Sequence, residues 1–100
     1  MADARSLARP ELLAALGGAA VRAIGERYRA MSPAEADVAA LRHAIDDSRP
    51  FTARFFGAGN PHIDELVRDD FAHGRTVVIE GWLLSVTEAR QCALYSLLSV

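Results

Sequence analysis

His62, Glu65, Asp69 and His73 recur at i, i+3, i+7 and i+11. At about 100° per residue they fall on one narrow helical face. Imidazoles and carboxylates are suitable ligands for a divalent transition metal. The two histidines are too far apart along a helix to share one ion, so the expected reading is a solvated polar face with no metal and no cofactor.

Asp70 falls on the other side of the same wheel, in the apolar arc near Ile63 and Leu66. A carboxylate there must find donors, because burying it unpaired is very costly. Arg75, the Trp82 indole N–H, Arg90 and a backbone N–H of the segment that follows are the candidates. The structural expectation is an anchor built from Asp70, Gly74 and Trp82 that locks this segment onto the preceding helix. The chemical alternative makes Asp70 a general base working with His43 or His62, since a carboxylate beside a pocket can be tuned for proton transfer. His43 also precedes Asp46 and Asp47, and a surface His–carboxylate pair is expected there. Cys92 is the single cysteine of the chain. Its nearest basic neighbour in sequence is Arg90, and a buried inert thiol is expected in preference to a nucleophile.

Other chemistries lack their residues. The sequence contains no phosphate-binding glycine motif, zinc-ligand spacing or Ser–His–Asp order. One cysteine excludes an intramolecular disulfide. A formal net charge of −2 argues against general binding to nucleic acid or anionic membrane, which needs a basic surplus. No apolar run approaches the roughly 20 residues of a membrane span. The N-terminal residues lack the apolar core of a signal peptide. The expected address is therefore cytoplasmic, with export beside a partner or from a processed precursor as the alternative.

The elements that must position these groups are mostly helical. One hundred residues with 51% hydrophobic side chains suit one globular domain, expected over residues 9–100 behind a flexible tail at 1–8. Pro10 and Glu11 suit the start of a helix. Gly17 and Gly18 break or kink it. Val21, Ile24, Tyr28 and Met31 then form a buried stripe. Ser32, Pro33 and Glu35 read as a capping box for a helix that buries Ala34, Val38, Leu41 and Ile45. Residues 48–60 carry Phe51, Phe55 and Phe56 in a loop bounded by Gly and Pro, pinned to the core or offered to a partner. Asn60 and Pro61 open the helix that bears the polar face, with Ile63, Leu66, Val67 and Phe71 on its buried side, and Gly74 supplies its left-handed cap.

Residues 76–98 join the β-type run to the most apolar helix and hold the only Trp. The run at 76–84 is β-branched at Val77, Val78 and Ile79. It is expected to be an extended strap crossing the helices, or one arm of a small hairpin. Ser85 and Glu88 form a second capping box. The final helix is apolar nearly all round, so it is buried centrally or covered by a partner. Leu94, Tyr95 and Leu98 are its expected partner-facing residues.

The run D-D-F-A-H-G-R-T-V-V-I-E-G-W-L-L-S-V-T-E-A-R-Q-C-A-L at 69–94 resembles the C-terminal portion of small, poorly characterised bacterial helical proteins. The stretch G-E-R-Y-R-A-M-S-P-A-E-A-D at 25–37 is similar to their middle. Some of those proteins are exported and are similar in size to helper subunits of larger oxidoreductases. The resemblance implies a fold unit and an accessory role, and it names no substrate.

The expected fold is mainly α: a four- to five-helix orthogonal bundle with the strap at 76–84. The expected function is a non-enzymatic accessory or protein-interaction module, partnered by a protein or by its own copies through Phe51, Phe55, Phe56, Leu94, Tyr95 and Leu98. A small enzyme or ligand-binding domain using Asp70 with His43 or His62 is the alternative. A DNA-binding regulator is the weaker third reading, because no basic recognition helix stands out.

Overall fold

A computed structural model describes residues 15–47 and 63–98. The expected tail at 1–8, the phenylalanine loop, the Asn60–Pro61 cap and His62 lie outside the described residues, as do the side chains of Asp46 and Asp47. The described chain is mainly helical with one small two-stranded sheet. Its elements are α1 (Gly18–Met31), a 3-10 turn (Pro33–Glu35), α2 (Val38–Asp47), α3 (Ile63–Ala72), β1 (Thr76–Ile79), β2 (Trp82–Ser85) and α4 (Val86–Leu98).

Helix α1 starts where the sequence predicts a break. Ala15 and Leu16 are helical, Gly17 leaves the helix, and Gly18 resumes it. Val21, Ile24 and Tyr28 are buried as their spacing predicts. Met31, the fourth member of that stripe, is half-exposed, because it is the last helical residue and the chain turns away after it.

The Ser32 side chain does not cap. Ser32 instead offers its carbonyl to the Glu35 N–H at 2.9 Å, which closes the 3-10 turn. The next helix starts later than Ser32 predicts and takes its cap from Asp37, whose Oδ1 accepts the Ala40 N–H at 2.8 Å. Pro33 and Glu35 therefore belong to a short turn of their own. That turn frees the Glu35 side chain to reach out of its element.

Helix α3 ends in a Schellman motif. Gly74 takes φ +70°, the Arg75 N–H donates to the Asp70 carbonyl at 2.8 Å, and the Gly74 N–H donates to Phe71 at 3.4 Å. The pattern satisfies two end carbonyls and turns the chain back. Phe71, expected on the buried side, is half-exposed. Leu66 and Asp70, four residues apart, hold the inward line instead.

The segment at 76–84 is a hairpin and not a single strap. Thr76 pairs with Ser85, Val77 with Leu84, Val78 with Leu83 and Ile79 with Trp82. Glu80 and Gly81 form the two-residue connection, with φ of +53° and +81°. Two positive φ values match the type I′ turn whose twist suits a tight hairpin, and Gly takes the second position without strain. Ile79 and Leu84 are buried against the helices, while Val78 and Leu83 face away from the core.

Helix α4 is the centre of the packing. It contacts α1 most extensively, and also α2, α3 and both strands. Ala89, Cys92, Ala93 and Leu94 are fully buried, with Tyr95, Leu97 and Leu98 packed at the edge of the core. The sequence offers burial at the centre or coverage by a partner for this helix; residues 89 and 91–94 are buried at the centre, while Tyr95, Leu97 and Leu98 are partly exposed. Leu94, named in the sequence as partner-facing, has 0% exposure. Closest approach to α1 occurs at Gly25, where an added Cβ would collide with the Cys92 carbonyl. Gly25 therefore sets the spacing of the two helices.

Candidate functional site

Asp70 is 2% exposed and lies where its place in the apolar arc predicts. Its two carboxylate oxygens are both used. Oδ2 accepts the Thr87 backbone N–H at 2.8 Å, and Oδ1 accepts from Arg75 Nε at 3.0 Å. Thr87 is the second residue of α4, so the carboxylate sits at the positive end of that helix, where a negative charge is favoured. The neighbouring donors are met too. The Val86 N–H reaches the Arg75 carbonyl at 3.1 Å, and the Glu88 N–H reaches Ser85 Oγ at 3.0 Å. Glu88 Oε1 returns the bond to the Ser85 N–H at 3.0 Å, completing the reciprocal capping box. Thus α3, the hairpin and the start of α4 are tied at one knot, with Asp70 at its centre.

Two expected members of the anchor are placed elsewhere. Trp82 is 46% exposed at the tip of the hairpin and makes no bond to Asp70. It is next to the turn, four residues short of the knot, so it cannot reach that carboxylate. Arg90, about one turn further along α4 than Thr87, pairs with Glu35 instead, at 2.7 Å from Nε to Oε1. The signal for the correct donor was present in the sequence: Thr87 follows the capping Ser85, and every helix start leaves orphan N–H groups.

Glu35 closes a second polar knot. It accepts from Tyr28 Oη at 3.0 Å and from Arg90, joining α1, the 3-10 turn and α4. Burial alone would raise its pKa, but the Arg90 hydrogen bond and charge, helped by the Tyr28 hydroxyl, hold it below the ordinary 4.5. The Tyr28 hydroxyl is pushed up, chiefly by burial. Sequence reading gave Glu35 a capping role and missed this cross-element one. Its signal is the unspent carboxylate on the third residue of a proline-initiated turn.

An open cleft of about 650 Å³ runs between these knots. Ala34 and Glu35 line it from the 3-10 turn, Ala40, His43 and Ala44 from α2, Asp69 from α3, and Arg75 and Arg90 complete it. His43 is exposed. The structure therefore brings His43 to the same cleft as Arg75, the side chain that Asp70 holds, although Asp70 itself is buried behind it. Asp69 also pairs with Arg75, and its other oxygen lies 3.2 Å from His73 Nδ1. Glu65 and His73 are exposed, and no cluster of three or more potential ligands suited to a metal ion occurs among the described residues.

Cys92 is fully buried, and burial, with a smaller contribution from the Glu88 charge, pushes its thiol up to about 12. A thiol so protonated is a poor nucleophile at neutral pH. Both carboxylate oxygens of Asp70 accept structural hydrogen bonds. Among the described residues, no helix is long and apolar enough to cross a membrane. No family model, curated protein or solved structure matches the chain.

Proposed function

We propose that this chain is a non-enzymatic accessory module that docks on a partner protein through its hairpin. The observation that carries this reading is the outward face of the sheet. Val78 and Leu83 are cross-strand partners on that face, 63% and 60% exposed, whereas Trp82, the cross-strand partner of the buried Ile79, lies on the other face beside the turn. Single exposed apolar residues are ordinary, whereas an apolar cross-strand pair on the solvent face of a ribbon is a surface that a partner can cover. The fold that presents this face reads as a four- to five-helix orthogonal bundle, and the helices gathered around α4 support that arrangement. The resemblance of residues 69–94 to helper-subunit-sized proteins points the same way. The enzymatic alternative loses its leading residue, because Asp70 is spent on Thr87 and Arg75.

The test is site-specific photocrosslinking in the source cell. A photoreactive residue at Val78 should give one discrete protein adduct, lost when Leu83→Lys is added. The same residue at Arg27, exposed on α1, should give none. Equal adducts from both positions, or an adduct indifferent to Leu83→Lys, would refute the reading. Sedimentation of the purified chain separates a partner from a second copy.

A further inference from the structure

We infer that two copies of this chain join through the outer edge of β1, antiparallel about Val78, so that their hairpins form one four-stranded sheet. The register of the hairpin fixes where its backbone groups point. In a hairpin with a two-residue turn the pair flanking the turn is hydrogen-bonded, and bonded and unbonded pairs alternate from there. Ile79–Trp82 and Val77–Leu84 are therefore the bonded pairs, and Val78–Leu83 is not. The Arg75 carbonyl continues the ladder by accepting the Val86 N–H at 3.1 Å. The groups between these bonds point away from β2. On β1 they are the N–H and carbonyl of Thr76, the N–H and carbonyl of Val78, and the N–H of Glu80. The Thr76 N–H is spent on the Gly74 carbonyl at 3.0 Å. The other four have no hydrogen-bond partner among the described residues. Val78 and Glu80 are both exposed.

Along the strand these open groups run acceptor, donor, acceptor, donor. A second copy reversed about Val78 sets donor, acceptor, donor, acceptor against them. Each Val78 N–H then meets the other Val78 carbonyl, and each Glu80 N–H meets the other Thr76 carbonyl. The spent Thr76 donor leaves no gap, because the group opposite it in this register is the Glu80 carbonyl, which lies in the turn. The side chains suit the same register. Glu80 stands opposite Thr76 of the second copy, and the two Glu80 carboxylates lie at opposite ends of the seam. Like charges directly opposite would be destabilising. Val78 and Leu83 of both copies become one apolar row on the outward face. Lysine, proline or a bulge commonly keeps strand edges apart, and β1 has none of these. The outer edge of β2 offers less. The Ser85 N–H is taken by Glu88 Oε1 at 3.0 Å and Ser85 is fully buried, so that edge closes two residues after Leu83. The seam uses the edge of the hairpin and not its outward face, and the purified chain alone tests it, so it can fail without the docking reading failing.

The experiment is sedimentation equilibrium of the purified full chain from micromolar to millimolar concentration, with amide hydrogen exchange measured at both ends of that range. A dimer is expected. As it forms, the Val78 and Glu80 amides should exchange about tenfold more slowly or beyond, while the Leu83 amide on the opposite edge keeps its rate. Val78→Pro removes the outward donor without breaking a hairpin bond, as an edge strand tolerates, and should abolish the dimer. Val78→Thr keeps the donor and the branched shape, and should retain it. Amide dispersion of Val78→Pro reports whether the fold persists, and if it does not, the exchange rates of the unsubstituted chain decide. A monomer at every concentration, a dimer whose Val78 and Glu80 amides are not slowed, or a dimer retained by a folded Val78→Pro chain would overturn the inference. Loss of the dimer in Val78→Thr would do the same, since it would show that the apolar face and not the backbone edge holds the copies together.

Discussion

Helix α4 and the hairpin before it are continuous in sequence and opposite in fate. By composition α4 asks for a partner, since it is apolar nearly all round, and the hairpin asks for a core, since it is a β-branched run with a tryptophan. In the fold α4 is packed on by helices and strands, while the hairpin buries Ile79 and Leu84 on one face and leaves Val78 and Leu83 of the other face in solvent. The difference lies in how many neighbours each element can recruit. A helix at the centre of three others can bury its whole circumference. A two-stranded ribbon has two faces and one set of helices to lie on, so one face stays bare.

The comparison can be broken hardest at Gly25. Gly25→Ala forces α1 away from α4 at the Cys92 carbonyl, and a denaturant melt should show a loss of about 3 kcal/mol or more, the severe end of overpacking. An unchanged midpoint would mean that α4 is not tightly enclosed. Next is Asp70→Ala, which strips the Thr87 N–H and Arg75 of their shared acceptor. It should cost roughly 1–3 kcal/mol by the same measurement, whereas Ser85→Ala, which removes only one cap, should cost about 1 kcal/mol. On the hairpin the order inverts. Leu83→Lys should change stability by less than about 0.5 kcal/mol while abolishing the crosslink from Val78. A large loss of stability there would show that the bare face is core.

The smallest effect is in the acid limb. Glu35 has its pKa lowered in the fold, so its contribution to stability is complete above the ordinary 4.5 and is lost as pH falls through the lower folded value. Glu35→Gln should therefore flatten the decline in stability below that pH and leave the alkaline side unchanged. Thr87→Val offers a companion test within α4. The Thr87 hydroxyl is buried without a hydrogen-bond partner, so removing it at constant shape should be neutral or slightly stabilising.

Local signals carried most of what the sequence revealed. The break at Gly17, the stripe of Val21, Ile24 and Tyr28, the capping box of Ser85 and Glu88, and the Gly74 turn each depend on residues a few positions apart. Asp70 was legible as buried because periodicity reports which way a helical side chain points. Its partners were not, because choosing between Trp82 and the Thr87 N–H depends on where the chain reverses. The Glu80–Gly81 turn decides that, and it shortens the strap into a hairpin. The cleft was illegible for the same reason: His43, Arg75 and Arg90 come from separate elements and meet only through tertiary packing. Ser32 misled because a good capping sequence competes with an equally good tight turn, and Asp37 supplied a second cap five residues later.

One consequence follows from the position of α4 in the order of synthesis. The helix on which α1, α2 and α3 all pack leaves the ribosome after every one of them. Vectorial synthesis therefore presents the apolar faces of Val21, Ile24, Leu41, Ile45 and Leu66 before the surface that covers them exists. Exposed apolar faces on an incomplete chain invite aggregation and chaperone capture. Stalling translation before residue 86 should leave a nascent chain that is protease-sensitive throughout, and release beyond residue 98 should convert it to the protected fold in a single step.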